Sequence, residues 1–413
     1  MIIKRDIYLN SLLAKKHNGL IKIITGLRRC GKSYLLFKLF YDCLLSQGVP
    51  ENHIIKVPLD SLENIDLRDK MALYRHVKDR ITDSSPYYVF LDEIQLVPEF
   101  EETLNSLLHI SNADIYVTGS NSRFLVKDVI TEFRGRGQEI RVFPLSFEEY
   151  YQTRNDGFRN AWADYCTYGG LPLTAAMKSH KEKADYLSAL FSKTYFTDVI
   201  DRHKIKNKKE FAALTDVLAS GIGALSNPLK IEKTFKSREK SSITNKTVSA
   251  YIEYLEEAFL ISTAQRFDIK GRKYIGASKK YYFTDMGLRN SRLNFRQIEE
   301  NHIMENVIYN ELLIRGYSTD IGILNVQSGG ADRHLRQLEC DFTASSGSRR
   351  IYIQSALSIS SPEKLRQEKQ SLLKIPDSFQ KIIIQKDETV PHYDDDGIYI
   401  IGLEDFLLNK VNI

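Results

Sequence analysis

At 413 residues the chain exceeds one ordinary domain, and about two to four are expected. With 42% hydrophobic and 27% charged residues the composition is that of a soluble globular protein, and a net charge of +5 with pI ≈ 8.7 permits a nucleic-acid partner without requiring one. Cys30, Cys43, Cys166 and Cys340 form no Cys-x-x-Cys pair, which argues against a structural zinc site or a disulfide framework. The opening Met-Ile-Ile-Lys-Arg-Asp lacks a signal-like apolar core, and no run of ~18 apolar residues exists, so a cytoplasmic protein without a membrane span is expected.

Residues 6–16 read as a short helix. Ile21-Lys22-Ile23-Ile24-Thr25 is an apolar run of strand length. It leads into Gly26-Leu27-Arg28-Arg29-Cys30-Gly31-Lys32-Ser33, which fits G-x-x-x-x-G-K-[ST], the phosphate-binding loop. Tyr34 to Phe40 follows with helical spacing. Strand, glycine-rich loop and helix are the context this motif needs. Its glycines let backbone N–H groups turn inward, and the helix aims its positive end at the same anion. Gly26, Leu27, Arg28, Arg29, Cys30, Gly31, Lys32, Ser33 and Tyr34 are therefore the expected nucleotide contacts. Lys32 would reach the outer phosphates of ATP, and the Ser33 hydroxyl would hold Mg²⁺.

After a break at Gln47-Gly48-Val49-Pro50, His53 to Leu59 reads as a second strand and 66–82 as helical. Tyr87-Tyr88-Val89-Phe90-Leu91-Asp92-Glu93 is a strand buried on both faces that ends in two acids, the Walker B pattern. Asp92 is expected in the Mg²⁺ shell and Glu93 as the residue that orients the attacking water. Ile115 to Thr118 is a further buried strand, followed by Gly119-Ser120-Asn121-Ser122. Phe133-Arg134-Gly135-Arg136-Gly137 leads into the strand Glu139-Ile140-Arg141-Val142.

These motifs, with Phe-Leu-Asp-Glu-Ile-Gln at 90–95, Val-Thr-Gly-Ser-Asn-Ser at 117–122 and Phe-Pro-Leu-Ser-Phe-Glu-Glu-Tyr at 143–150, resemble a large family of bacterial and archaeal AAA+ ATPases. In that family the ATPase domain precedes a C-terminal region of undefined function, and the resemblance extends over nearly the whole chain. It implies a polar sensor after the strand at 115–118, either Asn121 or Ser120. It also implies an arginine finger, Arg136 or Arg134, that acts on a neighbour's γ-phosphate and so requires a homo-oligomer. Tyr168-Gly169-Gly170-Leu171-Pro172 resembles the Gly-x-Pro motif of related signalling ATPases, which makes Pro172 a candidate for contact with the nucleotide base.

Residues 181–203 read as a long amphipathic helix. Three helical segments follow in 208–260, then a strand from Leu260 to Phe267, a turn through Lys270-Gly271-Arg272-Lys273, and a return strand at 280–284. Three helices and a two-stranded wing make a winged helix-turn-helix. Basic residues gather here, among them Lys246, Lys270, Arg272, Lys273, Lys279 and Lys280. Lys246 at the start of the recognition helix and Arg272 and Lys273 at the wing tip are the expected contacts to duplex DNA.

In 291–413 an acidic helix with Glu305 precedes a strand with Asp341 and another with Gln354-Ser355-Ala356. The layout matches the PD-(D/E)xK nuclease core, except that Gln354 stands where the second carboxylate belongs and Ala356 where the lysine belongs. Without a lysine from elsewhere, for example Lys364, phosphodiester hydrolysis should be poor.

The expected architecture is α/β: an AAA+ P-loop core at 1–150, a helical lid at 151–206, a winged helix at 207–290 and an inactive nuclease-like domain at 291–413. The expected function is Mg²⁺-dependent ATP hydrolysis coupled to a task on DNA. The alternatives are a nucleotide-dependent switch that binds a protein partner without DNA, and a Mg²⁺-dependent nuclease.

Overall fold

Runs of β-branched and aromatic residues build the first sheet. Its strands are β1 (Ile21–Gly26), β2 (Ile54–Pro58), β3 (Tyr87–Asp92), β4 (Ala113–Thr118) and β5 (Gly137–Val142). The computed structural model describes residues 3–119, 135–238, 243–276, 278–327, 335–411 and 413. It divides into two compact units, Met1–Pro144 with Glu257–Phe259, and Leu145–Glu256 with Leu260–Ile413.

In the first unit all neighbouring strands are parallel, in the order β2-β3-β4-β1-β5. Every residue of β1 and β3 is buried, as expected for parallel strands covered on both faces. One face of Ile23, Val57, Val89, Leu91 and Val117 packs with Leu73, Val77, Leu104 and Leu107, which come from the helices Lys70–Lys78 and Phe100–Leu107. Each such side chain contributes about 1.5–3 kcal/mol of transfer free energy. Elsewhere in the unit Phe40 meets Phe90 and Tyr116 with ring centroids 5.6 and 4.9 Å apart. Phe40 ends a π-helical stretch, Leu35–Phe40, inside the helix that follows the glycine-rich loop. Because all five strands run the same way, Gly26, Asp92 and Thr118 reach one edge of the sheet. Ligands bind at that carboxyl edge in open α/β sheets.

In the second unit the helix expected over 181–203 is present as His180–Leu190, a π-helical turn Phe191–Phe196, and Thr197–Arg202. The helices Lys208–Ser220, Pro228–Arg238 and Asn245–Glu257 precede β6 (Ile261–Ala264), β7 (Arg266–Asp268), β8 (Lys273–Tyr274) and β9 (Lys280–Phe283). Then come β10 (Ser318–Gln327), β11 (Leu335–Ser346), β12 (Arg349–Ala356), β13 (Gln380–Gln385), β14 (His392–Tyr393) and β15 (Tyr399–Gly402).

The strand expected from Leu260 to Phe267 is split between two sheets. β6 pairs antiparallel with β9, while β7 pairs parallel with β10 in an eight-stranded sheet of order β14-β15-β13-β12-β11-β10-β7-β8. The cause lies at Gln265. Its N–H donates to Asp320 Oδ1 at 3.1 Å, and its carbonyl accepts Ile321 N–H at 2.8 Å. Ile269 is then buried with Leu324, Cys340 and Tyr352 under the helix Pro362–Leu373. Arg272 and Lys273 therefore lie at the hairpin of β7 and β8, on the edge of the large sheet, and not at the tip of a free-standing β6–β9 wing.

Candidate functional site

The glycine-rich loop leaves β1 through backbone conformations open to few residues. Gly26 has φ 137°, and a Cβ there would lie 2.0 Å from the Val142 carbonyl oxygen. Arg29 and Gly31 also have positive φ, 63° and 103°. The loop is fixed from below: the Cys30 thiol donates to Val142 O at 3.3 Å, and Arg5 donates to Cys30 O at 3.1 Å and Phe143 O at 2.7 Å. Lys32 is 5% exposed, and its Nζ donates to Gly26 O at 3.0 Å and Leu27 O at 3.1 Å. The ammonium thus sits inside the turn. Arg28, Arg29, Ser33 and Tyr34 are exposed at the mouth.

The acidic side is built at the ends of β3 and β4. Asp92 is buried, and the Thr118 hydroxyl donates to its Oδ1. The same hydroxyl oxygen accepts Glu93 N–H at 3.0 Å. Glu93 adopts φ 52°, ψ 48°, a left-handed conformation that costs a β-substituted residue about 1 kcal/mol or more. Gln95 Nε2 donates to the Glu93 carboxylate. Sequence reading missed Thr118 and Gln95. The signal for Thr118 was a hydroxyl residue at the carboxyl end of the strand that separates β1 from β3. Asn121, Ser120 and Arg134 lie outside the described residues. Arg136 is exposed at the opposite edge of the sheet, where its carbonyl accepts Ile21 N–H at 2.9 Å. It is therefore far from the glycine-rich loop of the same chain.

In the second unit the Tyr168-Gly169-Gly170-Leu171-Pro172 segment wraps a buried carboxylate. Asp285 Oδ2 accepts Gly170 N–H at 2.8 Å, and Oδ1 accepts Leu288 N–H at 2.9 Å. A Cβ on Gly169 would lie 2.3 Å from Asp285 Oδ2, and one on Gly170 would lie 2.3 Å from the Leu145 carbonyl oxygen. Burial pushes the Asp285 carboxyl up to about 6, against the pull of the backbone donors Leu288, Gly170, Gly287 and Leu171. The two glycines thus have a packing role that the motif reading did not foresee. Pro172 opens the short helix Pro172–Ala176 at its first position, which suits a residue without an N–H.

The residues matched in sequence to a nuclease core meet at a cavity of about 450 Å³ whose lining includes His302, Glu305, Asp341, Gln354, Ser355 and Lys364. Lys364 thus lines the same cavity, where its Nζ pairs with Glu368 Oε1 at 2.6 Å. A second lysine, Lys280, is paired with Glu305 itself. Its Nζ lies 2.9 Å from Glu305 Oε1 and 2.7 Å from Glu339 Oε1. Burial opposes its charge, and Glu305, Asp341 and Glu339 outweigh that penalty, so its affinity for the proton is raised. Burial pushes Glu305 up to about 7, with Lys280 pulling down and Asp341 adding to the rise. β9 is held for this by Asn306, whose side chain accepts Phe283 N–H and donates to Phe283 O, each at 2.8 Å. Asp341 Oδ2 accepts Ser355 N–H at 2.8 Å and Ser355 O–H at 2.7 Å. Among the described residues no group of three or more His, Cys, Asp or Glu side chains is arranged to hold a metal ion.

Of the basic residues, Lys246, Arg272 and Lys273 are exposed. Lys280 is 4% exposed and belongs to the cluster just described, not to a basic face. No described helix is long and apolar enough to cross a membrane.

A parallel sheet in which β4 separates the strand of the glycine-rich loop from the strand of the Asp-Glu pair is the core of a P-loop NTPase, and such a domain binds nucleotide. Residues 18–151 match the family model "AAA domain", and residues 159–299 match "Domain of unknown function (DUF8612)". The chain belongs to the family of AAA-domain proteins with a C-terminal domain of unknown function that includes an uncharacterized protein of Haemophilus influenzae. The two are 33% identical over 416 residues, which span 98% of this chain and 99% of that protein. An uncharacterized protein of Methanocaldococcus jannaschii is 27% identical over 334 residues, 76% of this chain and 70% of its own length. Among solved structures, Cdc6p from Pyrobaculum aerophilum is 12% identical with a TM-score of 0.29, covering 75% of this chain and 96% of that one.

Proposed function

We propose that the protein hydrolyses ATP at the carboxyl edge of the first sheet. One observation supports this above the others: Thr118 joins Asp92 and Glu93 at the same edge where the loop holds Lys32. Loop N–H groups and Lys32 bind the phosphates, and Lys32 exchanges its contacts to Gly26 O and Leu27 O for phosphate oxygens. The Ser33 hydroxyl and the Asp92 carboxylate are hard oxygen donors that fit Mg²⁺. When bound, that ion supplies charge to the phosphoryl oxygens. Glu93 orients the water and accepts its proton. Arg136 of a neighbouring subunit is the proposed finger, which makes the active form a homo-oligomer.

We further propose that residues 151–206 act as a lid with Pro172 near the base, and that 207–290 place Lys246, Arg272 and Lys273 against duplex DNA, so that ATP turnover drives a task on DNA. Residues 291–413 then serve binding, not cleavage, because Gln354 carries no charge at the second acidic position. A second reading is a nucleotide-gated switch for a protein partner. It is favoured by the placement of Arg272 and Lys273 in the β7–β8 hairpin, away from the β6–β9 pair.

Steady-state ATP hydrolysis by the wild type and by Glu93→Gln, each with and without duplex DNA, tests both readings. Stimulation of the wild type by DNA that weakens steeply with salt, with loss of turnover in Glu93→Gln, supports the DNA-coupled ATPase. Turnover that needs Glu93 but ignores DNA favours the switch. Turnover that survives Glu93→Gln removes Glu93 from its role.

A further inference from the structure

We infer that Thr118 is a positioning residue for hydrolysis, tying the metal acid Asp92 to the base Glu93 through one hydroxyl group. The inference rests on the ATPase reading above and adds to it a residue outside both phosphate motifs.

Thr118 is 0% exposed. Its place is fixed by the backbone on both sides. Ile24 of β1 stands opposite Thr118, Leu91 of β3 stands opposite Val117, and Gly119 N–H donates to Ile24 O at 3.2 Å. A β-branched side chain in a strand has little freedom at χ1, so the hydroxyl direction is set once the backbone is set. Its proton is then assigned. The oxygen accepts Glu93 N–H at 3.0 Å, and so its single proton goes to Asp92 Oδ1.

Two effects follow. With Oδ1 engaged, the Asp92 carboxylate cannot rotate freely, and Oδ2 is the oxygen it would offer to a metal ion. Glu93 is held in a left-handed conformation that it would otherwise leave, and this conformation sets where its carboxylate points. A misplacement of either acid by about an ångström costs on the order of a hundredfold in rate. The Thr118 hydroxyl engages Asp92 and Glu93, and its effect on hydrolysis passes through those two acids.

Thr118→Val keeps the shape and removes the hydroxyl, Thr118→Ser keeps the hydroxyl, and Thr118→Ala serves as a second hydroxyl-free variant should valine disturb folding. Urea unfolding confirms the folded state of each. Four quantities are read: kcat, KM for ATP, Mg²⁺-free ADP affinity, and Mn²⁺ affinity of the ADP-bound protein by electron paramagnetic resonance. The hydroxyl-free variants should lower kcat by about ten- to a hundredfold. They should weaken Mn²⁺ at least about threefold and leave Mg²⁺-free ADP affinity within about twofold, while serine restores kcat to within about threefold. The inference is overturned if a folded hydroxyl-free variant keeps kcat and Mn²⁺ affinity, if serine is as slow as valine, or if Mg²⁺-free ADP affinity falls as far as kcat. Glu93→Gln run in parallel keeps the two claims apart. If the wild type shows no Glu93-dependent turnover, the ATPase reading fails, and the Mn²⁺ titration alone then decides whether Thr118 orients Asp92.

Discussion

Lys280 Nζ lies 2.9 Å from Glu305 Oε1 and 2.7 Å from Glu339 Oε1, so one buried ammonium joins β9 to the helix Glu300–Ile314 and to β11. Removing one partner of a buried ion pair leaves an uncompensated charge and costs about 3–5 kcal/mol. Lys280→Met should therefore lower unfolding free energy by about that amount in urea titration, and Lys280→Met with Glu305→Gln should recover a large share of it. Additive losses in the double variant would mean that the two groups do not interact.

At the nucleotide site, binding and turnover should separate by residue. Lys32→Ala should weaken ATP affinity by at least about tenfold, measured calorimetrically. Glu93→Gln should bind ATP as the wild type does and lose about a hundredfold or more in turnover, because a neutral amide cannot accept the proton of the attacking water. Equal loss of affinity in both variants would contradict this division.

Gly287 separates packing from backbone freedom. A Cβ there would lie 2.1 Å from the Tyr168 carbonyl oxygen, whereas Gly397, at φ 72°, has nothing within 4 Å of the same position. Gly287→Ala should cost about 3 kcal/mol or more, and Gly397→Ala only about 1 kcal/mol from its positive φ. The comparison is read as the difference in urea midpoint at constant m.

Asp285 should impose a pH dependence on folding. Its carboxyl is pushed up to about 6 from an ordinary value of 3.8. The folded chain therefore holds a proton that the unfolded chain has released between these values, and stability falls as pH rises through this window. The contribution is fully present below about pH 4 and lost above about pH 6, a change of about 3 kcal/mol. In Asp285→Asn that fall should be absent, so the variant should gain on the wild type by about that amount between pH 4 and 7. A constant difference across this range would show that Asp285 ionises in the fold as readily as outside it.

The phosphate loop and the Asp92-Glu93 strand were legible because each is a local pattern, a turn that only glycine permits and a continuous apolar run. The rest depends on partners far along the chain. Gly169 and Gly170 were legible only as a motif, because the carboxylate they enclose is Asp285, 115 positions beyond Gly170. β7 looked like the second half of a wing strand because its parallel pairing with β10 leaves no mark in the local period. Thr118 looked like any β-branched strand residue. Lys280 was counted with its basic neighbours, and only the fold shows it turned inward onto Glu305 and Glu339.

The eight-stranded sheet ends at β8 and β14, each only two residues long and exposed. A border this short presents few free N–H and C=O groups in a row, so a strand from another molecule has little to zip onto. Lys273 stands on one of these borders, where its charge adds to the protection of the sheet against growing into an aggregate.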